Sequence, residues 1–175
     1  MTGQNNPYTP PQAQLADAEP QAGSPLKAVV LGVTIDIGGT LLTSLVLGIA
    51  YGISLAASGA SREEIARISA DIPLDSWIVI LGTLAGCAFS VAGGYVCARI
   101  VGREEYRYGA MAGVVSASLG FLLGAGQYPE IANVGLAGLT FLMVLFGARL
   151  GRAKNRTARS RTQPPTGSVL SQGDR

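Results

Sequence analysis

Four apolar runs, each about as long as a bilayer's hydrocarbon core is thick, leave this chain few ways to fold. They extend from about Ala28 to Leu55, Ser76 to Val101, Tyr106 to Ala125 and Ile131 to Leu150. Each reaches or exceeds the roughly 20 residues that a helix needs to cross about 30 Å of hydrocarbon. Lipid offers no partner to an exposed backbone amide, so each run is expected to be helical. No proline interrupts them, since Pro73 and Pro129 fall in the connections. A soluble alternative is hard to build, because only 14% of the residues are charged, against roughly 25% in an ordinary soluble domain. The expected fold is therefore all-α, a four-helix transmembrane bundle over residues 27–151.

Orientation follows from lysine and arginine placement. Lys27 precedes the first run, and Arg99, Arg103 and Arg107 flank the connection between the second and third. Arg149, Arg152, Lys154, Arg156, Arg159 and Arg161 close the fourth. The opposite connections hold only Arg62 and Arg67. Both termini are thus expected on the cytoplasmic side. Residues 1–26, rich in Gln, Asn, Ala and Pro, and the basic segment 152–175 are expected to be disordered tails. Within the outer connection, Ser61 followed by Glu64 has the form of a capping box. Ile65, Ile68 and Ile72 then share one face, which predicts a short amphipathic helix on the outer surface.

Small residues recur at four-residue spacing. Gly82, Gly86, Ser90, Gly94 and Ala98 do so in the second run, and Thr40, Ser44, Gly48, Gly52 and Ala56 in the first. Ala112, Ser116, Gly120 and Gly124 follow in the third, with Gly147 and Gly151 at the end of the fourth. Membrane helices gain no hydrophobic drive from meeting, so close backbone approach must hold them together. The spacing predicts tight packing, within one bundle or between two copies.

Chemical signals are sparse. Without a histidine, the chain lacks the commonest general base and metal ligand. Cys87 and Cys97 are about 15 Å apart along a helix, too far for a disulfide. Asp36 is the acidic residue within a run, and a carboxylate in hydrocarbon needs a reason. Three readings are open: an ion pair with Arg99, a hydrogen bond capped by Thr34 or Thr40, or an ion- or proton-coupled site with Thr40 and Ser44. Asp36, Thr40, Ser44 and Arg99 therefore form the candidate polar site. Glu104 and Glu105 read as solvated loop charges. The expectation is no catalytic residue, cofactor, metal or nucleic-acid partner.

Several strings resemble known patterns. Asp36-Ile37-Gly38-Gly39-Thr40 looks like the phosphate loop of actin-like sugar kinases, but lies within an apolar run. Leu84-Ala85-Gly86-Cys87 matches a lipoprotein cleavage box, again in mid-run. A lone carboxylate in the first of four helices is similar in architecture to small multidrug exporters, without their aromatic surroundings. Gly93-Gly94-Tyr95-Val96-Cys97-Ala98-Arg99, followed by Tyr108-Gly109-Ala110-Met111-Ala112-Gly113, resembles small four-span bacterial inner-membrane proteins of uncharacterised function. That resemblance implies an inner-membrane location and an architecture, and no activity. The functional expectation is an interaction or accessory component with a homodimeric or membrane-protein partner; the competing expectation is a small transporter or channel using Asp36.

Overall fold

Helix is the only regular structure among the described residues of the computed structural model, which are 23–70 and 72–162. The chain forms α1 (Pro25–Ala57), α2 (Arg62–Ala70), α3 (Trp77–Val101), α4 (Glu105–Gly124) and α5 (Glu130–Thr162). α1 begins with Pro25 in its first turn, where the missing amide hydrogen removes no helical bond. α3 stops at Gly102, whose φ of 66° is readily reached only without a side chain.

α1, α3 and α5 are long and apolar enough to cross a membrane. The third expected span, Tyr106 to Ala125, coincides with α4, which is 20 residues long but less apolar and is not among these three. Its first turn carries Glu105 and Arg107, and glycine and serine fill much of its remaining length. The expected tails also need revision. The tail over 1–26 lies outside the described residues up to residue 22, and Pro25 and Leu26 belong to α1. The segment from Arg152, expected to be disordered, continues α5 to Thr162. Alanine, arginine and lysine are good helix formers, and the next proline is Pro164. Residues 163–175 lie outside the described residues.

α3 packs against both α1 and α5, α5 against α4, and α4 closes the ring onto α1. α2 touches only α1. Glycine sets these contacts. At the α1–α3 crossing, a Cβ on Gly32 would lie 2.9 Å from the Gly93 carbonyl oxygen, and one on Gly93 would strike the Gly32 carbonyl. At the α3–α5 crossing, Gly94 meets the Val144 carbonyl and Gly147 the Val91 carbonyl, leaving no room for a side chain at either. Gly151 rests on Ala98 and Tyr95, Gly109 on Ala148, and Gly113 on Phe141. Such approach aims glycine Cα–H groups at carbonyl oxygens and gains dispersion along the backbones. The small apolar core of Ala28, Cys97, Val101, Ala112 and Val144 sits at this same end. It is called the basic end below, after the arginines around it.

Candidate functional site

α1 and α3 run antiparallel, and their register decides what Asp36 meets. Gly32 faces Gly93 and Cys97, Asp36 faces Ser90 and Gly93, Thr40 faces Gly86, and Leu47 faces Gly82. Asp36 and Ser90 are each only 2% exposed. The Ser90 hydroxyl donates to Asp36 Oδ1 at 2.7 Å. Asp36 Oδ2 is buried and has no hydrogen-bond partner among the described residues. The Phe89 ring packs on Gly39 beside them.

The four expected site residues do not come together. Asp36 and Thr40 share the seam with α3, whereas Ser44 is exposed. The expected Asp36–Arg99 ion pair is not formed. Ser90 and Arg99 are two and a half turns apart on α3, about 13 Å, and the Arg99 guanidinium donates instead to Asn155 Oδ1 at 3.1 Å. Thr34 is exposed too, so the hydroxyl that serves Asp36 comes from α3. Ser90 was visible in the sequence as one member of the α3 stripe, but no local pattern singled it out as a donor.

A second polar cluster joins three helix ends at the basic end. The Asn155 side-chain amide donates to the Ala98 carbonyl at 3.1 Å and to Glu105 Oε1 at 3.5 Å. Glu105 is only 8% exposed, which corrects its reading as a solvated loop charge. Its neighbour Glu104 does face solvent and pairs with Arg107 at 3.0 Å. The Arg152 guanidinium stands 4.8 Å above the Tyr106 ring, a cation–π contact that holds α5 beside the start of α4. Asn155 lay in the expected tail, so nothing in its surroundings marked it.

At the opposite end the α1–α2 connection frames an open depression of about 660 Å³, lined by residues that include Ser58, Glu64, Arg67 and Ile68. The expected capping box is present: Ser61 N–H donates to Glu64 Oε2 at 2.8 Å, and Glu64 N–H to Ser61 Oγ at 3.3 Å. These bonds hold the Glu64 carboxyl below its ordinary range. Ile65 is half-buried, and Ile68 is 39% exposed. Tyr51 and Trp77 meet edge to face nearby, with centroids 6.3 Å apart.

The remaining motifs take no chemical form. Asp36-Ile37-Gly38-Gly39-Thr40 is continuous α-helix, not the hairpin turn that would bring amides to a phosphate. Leu84-Ala85-Gly86-Cys87 lies within α3. Both cysteines are free, as their spacing requires. No family model matches the chain, and comparison with curated proteins and with solved structures finds no match to either.

Proposed function

We propose that this chain is a small four-span membrane protein, with both ends on the cytoplasmic side of a bacterial inner membrane, that works by binding other membrane helices. In this reading α4 is the fourth span, made less apolar by the small residues through which it packs. The role is that of an assembly or accessory component, with no catalytic step and no nucleic-acid partner.

One observation carries the reading: part of the small-residue pattern is left unfilled by the chain's own helices. Among the described residues, Gly48 and Gly52 on α1 have nothing within 4 Å of a Cβ position, nor do Gly120 on α4 or Gly135 and Gly138 on α5. On α1 they lie among exposed Val46, Ile49 and Ile53. A glycine groove in an apolar helix lets a second backbone approach closely, and lipid tails gain little from it.

The test is photocrosslinking in native membranes from a reactive side chain at Ile49. The expected result is a protein adduct of discrete mass, lost when Gly48 and Gly52 are both changed to Leu. A Cβ at either position has nothing within 4 Å among the described residues, and an unchanged unfolding midpoint of the double variant checks that the fold is kept. Adducts to lipid alone would sink the reading. The second reading, ion- or proton-coupled transport, is favoured by one feature, the buried carboxyl of Asp36 with an unpartnered oxygen.

A further inference from the structure

We propose that Asp36 and Ser90, at the α1–α3 seam, form a binding position for a small monovalent cation, either a proton or a sodium-sized alkali ion. The inference deepens the second reading above, ion- or proton-coupled transport at Asp36, and does not depend on the helix-binding role.

A carboxylate removed from water requires compensation by opposite charge or by hydrogen bonds to both oxygens. Asp36 has neither in full. Oδ1 accepts from Ser90, Oδ2 accepts nothing, and the residue is 2% exposed. Arg99, the nearest cation anticipated from sequence, is bound to Asn155. On α3 the Cys87 thiol is in electrostatic reach of the carboxyl. The charged groups of α4 and Arg152 of α5 sit toward the basic end, Glu105 and Arg107 in the first turns of α4 and Arg152 on Tyr106, while Glu130 opens α5 at the other end. A cation on Oδ2 completes the set without any of them.

The seam offers oxygen and room. The Ser90 hydroxyl, while donating to Oδ1, keeps lone pairs for an ion. Thr40 lies one turn from Asp36 on the same face. Opposite it, a Cβ on Gly86 would sit 3.7 Å from Thr40 Cγ2 and 3.8 Å from Thr40 Oγ1, an ordinary contact distance. Thr40 and Gly86 therefore leave room for a methyl group one turn along the seam from the carboxyl, whereas most glycines nearer the basic end leave none. Hard alkali ions favour such oxygen donors, and a proton needs only Oδ2 itself.

The full chain, reconstituted in bilayers, is examined by infrared difference spectroscopy of the carboxyl region, with Asp36→Asn assigning the band. Sodium is exchanged for N-methylglucamine at fixed pH, and the pH is then stepped without sodium. An alkali-ion site gives a band on sodium exchange. Ser90→Ala, which removes an oxygen ligand, moves its half-saturation about tenfold to higher sodium. Gly86→Ala, which crowds the Thr40 hydroxyl, also moves it to higher sodium. A proton site responds only to the pH step. Ser90→Ala, which removes the hydrogen-bond partner of Oδ1, shifts the frequency of that carboxyl band, and Gly86→Ala leaves it unchanged. No Asp36 band in either exchange, or a band indifferent to Ser90→Ala, overturns the proposal and reduces Asp36 to a helix–helix hydrogen bond. If Asp36→Asn fails to fold, the Ser90 and Gly86 variants carry the test, because they keep the carboxyl.

Discussion

The two ends of the bundle use the same residues to opposite effect. Toward the basic end, Gly32, Gly93, Gly94, Gly147 and Gly151 press backbone on backbone, and a Cβ on any of them would meet an atom at 2.9 Å or closer. Toward the other end, Gly48, Gly52, Gly120, Gly135 and Gly138 meet nothing within 4 Å. Spacing and composition are alike in both. What differs is whether another part of this chain lies against that face at that height: Gly39 meets Phe89 while the adjacent Gly38 meets nothing, and Gly124 at the open end is filled by Asn133. A small-residue stripe therefore states that close approach is permitted, and the crossing points decide where permission is used.

The sharpest way to break this comparison is one methyl group at each end. Gly94→Ala places a carbon against the Val144 backbone, and Gly147→Ala against that of Val91. A backbone obstacle cannot rotate away as a side chain can, so each change should destabilise the bundle by about 3 kcal/mol or prevent folding. Gly52→Ala meets no atom. Replacing a helical glycine there should stabilise by about 0.5–1 kcal/mol through backbone entropy alone. Unfolding in mixed micelles measures all three. Equal midpoints for Gly94→Ala and Gly52→Ala would mean that the contrast between the ends is not energetic.

How much of this was legible depends on the range of the interaction. The apolar runs and the Ser61–Glu64 box are local patterns; α1, α3 and the α2 cap follow them closely, and α5 follows its run before continuing past it to Thr162. Asp36 could be singled out because a carboxylate in an apolar run violates a simple rule. Its partner could not. Arg99 seemed apt by charge, but the antiparallel register of α1 and α3 puts Ser90 opposite Asp36. Ser44 extended the α1 stripe correctly in sequence and still faces outward, because a four-residue period drifts around a helix of 3.6 residues per turn. Glu105 and Asn155 were misjudged for one reason: α5 continues past the apolar run, and only tertiary contact brings Asn155 to the ends of α3 and α4.

That contact gives the second prediction. Asn155→Ala removes the donor to the Ala98 carbonyl and to Glu105 Oε1, and the acceptor for Arg99. Buried polar groups left without partners cost about 1–3 kcal/mol, so the bundle should lose that much. Amide exchange over 152–158 should rise, because the clasp, together with Arg152 on Tyr106, ties this part of α5 down. An unchanged exchange rate would place the whole difference between the ends in the glycines.

The smallest expected effect belongs to α2, which has no glycine contact to hold it and packs only against α1. Its one specific device is the reciprocal bonding of Ser61 and Glu64. Those bonds favour the ionised carboxylate, so the Glu64 pKa in the folded helix lies below its ordinary value of 4.5. A lowered folded value means that the cap contributes fully above pH 4.5 and is lost as pH falls through the folded value. A spin label at the exposed Ala66 should therefore grow more mobile on acidification in wild type. In Glu64→Gln the mobility should stay nearly level with pH, while α3 and α5 keep their packing in both. A label equally mobile in the two proteins at every pH would show that α1, and not the cap, orders this helix. The distinction matters for the comparison, because it decides whether the open end is held by local chemistry or only by its attachment to the tightly packed one.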